Sequence, residues 1–133
     1  MARDEYLKHL ASIPLFAECD KKELQEIGKL ATEIEIPAGR EFIKEGDFAQ
    51  EMLVIVEGSA TVTKGGQKIA TLGPGDVVGE LALLQHRPRN ATVTSDTKLD
   101  ILVVDSGAMD ALLDDIPGLA KRLLKVVASR LAD

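Results

Sequence analysis

The chain reads as mainly β with flanking helices: an eight-stranded antiparallel jelly roll, or double-sheet barrel, between an N-terminal helical segment and C-terminal helices. Three observations predict this. The apolar period is helical at first, switches to two at Glu33-Ile34-Glu35-Ile36, and returns to helical after Asp105. Between those switches lie eight short runs suited to strands, and glycine- or proline-bearing turns separate them. One domain over residues 1–133 accommodates this order, with a helical segment at 1–31, the β-roll at 32–104, and C-terminal helices at 105–133.

Each element has its own warrant. Leu7, Leu10, Ile13, Leu15 and Phe16 make an apolar patch around Pro14. Asp20-Lys21-Lys22-Glu23 is a capping box, in which an Asp cap and a Glu three residues on satisfy orphan amides reciprocally. It opens a helix carrying Leu24, Ile27, Leu30 and Ala31 at helical spacing. Glu33–Ile36 then alternates as a half-buried strand does. Pro37-Ala38-Gly39 and Glu45-Gly46-Asp47 bracket Phe42-Ile43, and Met52–Val56 is a continuous apolar run ended by Gly58. Ser59–Thr63 and Lys68–Leu72 flank Gly65-Gly66, a signal for a tight hairpin. Gly73-Pro74-Gly75-Asp76 turns the chain into Val77-Val78, and two more strands follow at Ala91–Thr94 and Leu99–Val104. Asp105-Ser106 caps a helix whose face holds Met109, Leu112 and Leu113. Pro117 suits the first turn of a last helix striped with Leu119, Leu123, Val126, Val127 and Leu131.

Composition removes several classes of function. At 133 residues, with 45% hydrophobic and 29% charged residues, the chain suits a soluble globular domain with its own core. No apolar run approaches the ~20 residues that span a bilayer, and residues 1–15 lack a signal-peptide core. Cys19 is the single cysteine, so no disulfide framework exists and a cytoplasmic location is expected. A net charge of −6 argues against a nucleic-acid surface, which needs clustered cations; Lys121, Arg122, Lys125 and Arg130 are only a mild exception. Two histidines, His9 and His86, are too few for a metal-dependent enzyme of jelly-roll architecture. Nor does any nucleophile–base pair suggest catalysis, so no catalytic residue, metal or resident cofactor is expected.

The most informative stretch is 79–93, Gly-Glu-Leu-Ala-Leu-Leu-Gln-His-Arg-Pro-Arg-Asn-Ala-Thr-Val. It sets one carboxylate, Glu80, and one guanidinium, Arg89, on either side of a short apolar helical turn. A cyclic nucleotide asks for that pair, being a compact phosphodiester monoanion whose ribose keeps a free 2′-hydroxyl. Arg89 can grip two phosphate oxygens with its planar fork, Glu80 can accept from the hydroxyl, and amides opening residues 80–84 can add an anion site. Taken singly, these residues have plainer readings. Glu80 would be a helix-dipole partner, Arg89 a salt-bridged arginine, and Gly79 a backbone accommodation.

The tract resembles the phosphate-binding cassette of the cyclic nucleotide-binding domain family, found in kinase regulatory subunits and catabolite-activator-type regulators. The resemblance extends over roughly 10–131, through Ile13-Pro14-Leu15-Phe16, Pro37-Ala38-Gly39, Glu45-Gly46-Asp47 and Gly73-Pro74-Gly75-Asp76. It implies an eight-stranded roll between helices and a ligand site made of Gly79, Glu80, Leu81, Ala82, Arg89, Asn90 and Ala91. Arg89 would hold the phosphate and Glu80 the ribose, while Leu81, Ala82, Asn90 and Ala91 contribute backbone amides. Leu83 and Leu84 would pack the cassette on the hinge and last helix. Asn90 stands where cyclic-GMP-selective relatives commonly carry threonine, which favours cyclic AMP over cyclic GMP as the ligand. The lid over the base falls to Leu123, Leu124, Val127 and Lys121 or Arg122, no aromatic being at hand.

The expected function is therefore a cyclic-nucleotide sensor whose C-terminal helices move on binding, without catalysis. Its effector would be another protein, or a second copy meeting it through the last helix. Other readings are the sensing part of a transcription regulator or larger signalling protein, or a degenerate domain that no longer binds ligand. The chain ends at Asp133 without a helix-turn-helix segment, so direct nucleic-acid binding is not expected of these residues.

Overall fold

A computed structural model describes residues 3–48, 51–79 and 88–132. The helical start comprises α1 (Arg3–Ser12), a 3₁₀ turn at Pro14–Phe16 and α2 (Lys21–Leu30). The expected capping box opens α2: the Glu23 amide donates to Asp20 Oδ1 at 2.8 Å and the Asp20 amide to Glu23 Oε1 at 2.9 Å. Among the described residues eight strands follow: β1 (Thr32–Ile36), β2 (Glu41–Ile43), β3 (Glu51–Glu57), β4 (Ala60–Lys64), β5 (Gln67–Leu72), β6 (Val77–Val78), β7 (Thr92–Ser95) and β8 (Leu99–Asp105). Two helices end the chain, α3 (Ser106–Asp115), capped by the Asp105 carboxylate, and α4 (Leu119–Ala132).

The strands form two four-stranded antiparallel sheets, in the orders β1-β8-β3-β6 and β2-β7-β4-β5, which is the jelly-roll arrangement. Two cores follow. Between the sheets lie Ile36, Ile43, Leu53, Ile55, Val62, Val93, Leu99 and Ile101 among others. On the far side of the first sheet, Met52, Val54, Val56, Leu102 and Val104 meet Leu10, Phe16, Ile27, Met109, Leu112, Leu119 and Leu123 of the helices. β3 is thus buried on both faces, alternate residues serving alternate cores, and so its sequence is a continuous apolar run. β5 lies at a sheet edge and is exposed over most of its length.

The β4–β5 hairpin closes through Gly65 and Gly66, with φ of 58° and 81° between the paired Lys64 and Gln67. Both angles are left-handed, so the Gly-Gly pair fits a type I′ turn. Two boundaries differ from the sequence reading. β7 begins at Thr92 rather than Ala91, because the chain just before it pairs through Arg89 with the loop at Gly46 and Asp47, and the ladder with β4 starts at Thr92. Pro117 lies ahead of α4 instead of in its first turn, since a tight turn closed by the Leu119 amide on the Ile116 carbonyl (3.2 Å) comes first. Among the described residues no helix is long and apolar enough to cross a membrane.

Candidate functional site

Arg89 organises the described part of the cassette. It follows Pro88 just before β7, and its main chain pairs with the loop after β2. The Arg89 amide donates to the Asp47 carbonyl and the Gly46 amide donates to the Arg89 carbonyl, both at 2.8 Å. The Glu45 amide donating to Thr92 Oγ1 at 3.0 Å extends this contact toward β7. Glu45-Gly46-Asp47 is therefore more than a strand turn; it clamps the arginine backbone.

The side chain is held as firmly. Arg89 is only 6% exposed, and with Ser95 it is one of two buried polar residues among those described. Its Nη2 donates to the Glu51 carbonyl at 2.9 Å and its Nη1 to the Gly79 carbonyl at 3.2 Å. Two carbonyls from separate elements, the start of β3 and the end of β6, thus set the plane of the fork. Burying a cation is costly, and such charge-assisted bonds offset part of the cost.

Gly79 has a second reason to be glycine. Its φ is +85°, and a Cβ there would run into the Arg89 guanidinium and approach the Glu51 carbonyl oxygen to 2.9 Å. The residue is required for its backbone angle and for the space the guanidinium occupies.

This geometry sits within residues 33–115, which match the family model for the cyclic nucleotide-binding domain. The chain belongs to that family. It is 34% identical over 109 residues to a cAMP-dependent protein kinase regulatory subunit of Schizosaccharomyces pombe, covering 81% of this chain and 26% of that protein. A cyclic nucleotide-gated potassium channel of Rhizobium etli is 31% identical over 121 residues, or 91% of this chain and 34% of the channel. Among solved structures, the catabolite activator protein of Thermus thermophilus superposes with a TM-score of 0.82 at 27% identity, over 90% of this chain and 58% of that one. The domain spans about a quarter to a third of the length of these two curated relatives.

The remaining expected site residues divide into three groups. Glu80, Leu81 and Ala82 lie outside the described residues, as do Leu83, Leu84, His86 and Arg87. Asn90 is exposed beside Arg89, whereas the Ala91 methyl is buried in the inter-sheet core. Of the lid candidates, Leu123 is packed in the helix-side core, and Arg122 lies 3.6 Å from a Glu18 carboxylate oxygen and 3.9 Å from Cys19 Sγ. Leu124 (67% exposed) and Lys121 face outward, and the Val127 side chain is outside the description. Among the described residues, no group of three or more His, Cys, Asp or Glu side chains is placed to hold a metal ion.

Sequence reasoning missed Glu51, Gly46 and Asp47 as partners of the arginine. All three act through main-chain atoms, so their side chains carried no signal. The pairing of Glu51 with Arg89 spans 38 positions and joins the start of β3 to the lead into β7, which belong to different sheets.

Proposed function

We propose that the domain is a cyclic AMP sensor. Arg89 takes the phosphodiester, Glu80 accepts from the ribose 2′-hydroxyl, and Gly79, Leu81, Ala82, Asn90 and Ala91 line the site through their backbone. The observation that carries this reading is the burial of one guanidinium whose plane two carbonyls already fix, in a chain of this family. An arginine fixed in this way can meet an anion with little further ordering. Cyclic AMP is preferred to cyclic GMP on two grounds: Asn90 follows the arginine in place of threonine, and a relative is named for cAMP dependence.

Binding alone does the work in this reading, and no chemistry is performed. Ligand at the cassette would favour one arrangement of α3 and α4 over another, by as much as its affinities for the two differ. The effector is a further segment or a partner protein; the named relatives include a kinase regulatory subunit and a channel.

The test is calorimetric titration with cyclic AMP, cyclic GMP and linear 5′-AMP. Cyclic AMP should bind best. Arg89→Ala should lose about 2–5 kcal/mol, roughly thirty- to several-thousandfold in affinity. Equal affinity of wild type and variant would remove the phosphate role. Glu80→Ala should chiefly erase the preference over 2′-deoxy cyclic AMP, and surviving discrimination would refute the sugar assignment.

A further inference from the structure

The outer face of the first sheet is not apolar throughout. Where α1 crosses it, β1 presents Glu33 and Glu35, β8 presents Asp100, and β3 presents Glu57 at its end, opposite Asp100 in the ladder. Glu33 and Glu35 alternate onto one face, and Glu35 pairs with Asp100, so these carboxylates share the side that the helices cover. From α1 come Tyr6 and His9, the latter with Nε2 4.0 Å from Glu57 Oε1. Lys98 stands at the margin, 3.4 Å from Glu35.

The pairs at the margin are solvated, whereas Glu33, Asp100 and His9 are half-buried, each with one polar atom closed off from solvent. Glu33 Oε2, Asp100 Oδ1 and His9 Nδ1 are buried atoms without a hydrogen-bond partner among the described residues. Two carboxyls under one helix, each with a buried oxygen lacking a donor, are uncomfortable when both are charged. A proton on either removes the repulsion between them.

We propose that the seat of α1 is a proton-responsive contact: uptake of a proton by the Glu33–Asp100 pair tightens α1 on the sheet, and its release loosens it. Desolvation first, then the charge of Asp100, holds the Glu33 carboxyl above the ordinary range. Desolvation, then the charges of Glu57 and Glu35, does the same for Asp100, with His9 and Lys98 opposing. Burial and these two carboxylates also raise the Tyr6 hydroxyl. Both carboxyls are raised in the folded state, so their contribution is complete below the ordinary carboxyl range near pH ~4 and fades as pH rises through the raised values. Leu7 and Leu10 of α1 share a core with Leu119 and Leu123 of α4, so the proton acts on the layer that holds the C-terminal helices.

Hydrogen exchange in the intact chain, read as protection factors for residues 3–12 between pH 4 and 8, tests this. Protection of α1 should fall as pH rises while the β3 and β8 amides stay protected. Glu33→Gln with Asp100→Asn should remove that slope and keep α1 protected at neutral pH, whereas Glu41→Gln, on an exposed residue of the other sheet, should preserve it. A flat wild-type profile, an unchanged slope in the amide variant, or an equal slope in the β3 and β8 amides would each overturn the proposal.

Discussion

Replacing Gly79 with alanine tests how tightly the arginine is seated. At φ +85° a residue with a Cβ pays about 1–2 kcal/mol relative to glycine. The added methyl also meets the Arg89 guanidinium and lies 2.9 Å from the Glu51 carbonyl oxygen. Both are anchored, so something must shift, at ~1–3 kcal/mol for overpacking. Restricting the unfolded chain returns about 0.4–1 kcal/mol. The net loss is roughly 2–4 kcal/mol. With an unfolding entropy of about 2.1 cal/mol/K per residue over 133 residues, Tm should drop by roughly 7–14 °C. Gly39→Ala is the control, because φ is +81° there but nothing lies within 4 Å of the added atom. Its loss should be the conformational part alone, near 1 kcal/mol. Calorimetric melting of the two variants, with titration by cyclic AMP, separates angle from collision. If Gly79→Ala melted within a degree or two of Gly39→Ala and bound ligand like wild type, the seat would be far looser than described.

Three further outcomes follow from the same geometry. Ser95 is 1% exposed, donates from Oγ to the Pro37 carbonyl at 2.6 Å and accepts from the Arg40 amide at 2.9 Å. Ser95→Ala should therefore cost about 1–3 kcal/mol in urea unfolding; a neutral result would mean water replaces both bonds. Asp20→Ala removes the cap of α2 and should cost about 0.5–2 kcal/mol, with exchange faster in the first turn of that helix than in its last. Burial pushes the Cys19 thiol up, more than the nearby Arg122 lowers it, so alkylation at pH 8 should be slower than for a free cysteine and should speed up on unfolding. A Cys19 that reacted at the free rate while folded would contradict its packing.

Local signals in the sequence carried where they were self-contained. The capping box at Asp20–Glu23 is read from two residues and needs no distant partner. The Gly65-Gly66 hairpin and the apolar run at Met52–Val56 were legible for the same reason, whereas the burial of that run on both faces emerged only with the two cores. α1 was less legible, because it contributes Leu7 and Leu10 to the shared core, with Tyr6 and Ala11 only partly buried against it. Arg89 stood out as a guanidinium in a recognisable tract, but its anchors did not. A backbone carbonyl has no residue-type signature, so neither Glu51 nor Asp47 could be singled out from the letters. Leu123 illustrates the converse: a stripe on a helix shows that a side chain faces something, not whether that is core or ligand.

By itself, the order of residues determined which segments are strands and helices, because period, caps and turn chemistry act within a few positions. It also determined the family, since the cassette and its turns recur in sequence. Only the tertiary structure decided which carbonyls hold the guanidinium and which carboxyls lie beneath α1. Those groups come from different strands, and their burial and distances arise only when the sheets form and the helices close over them.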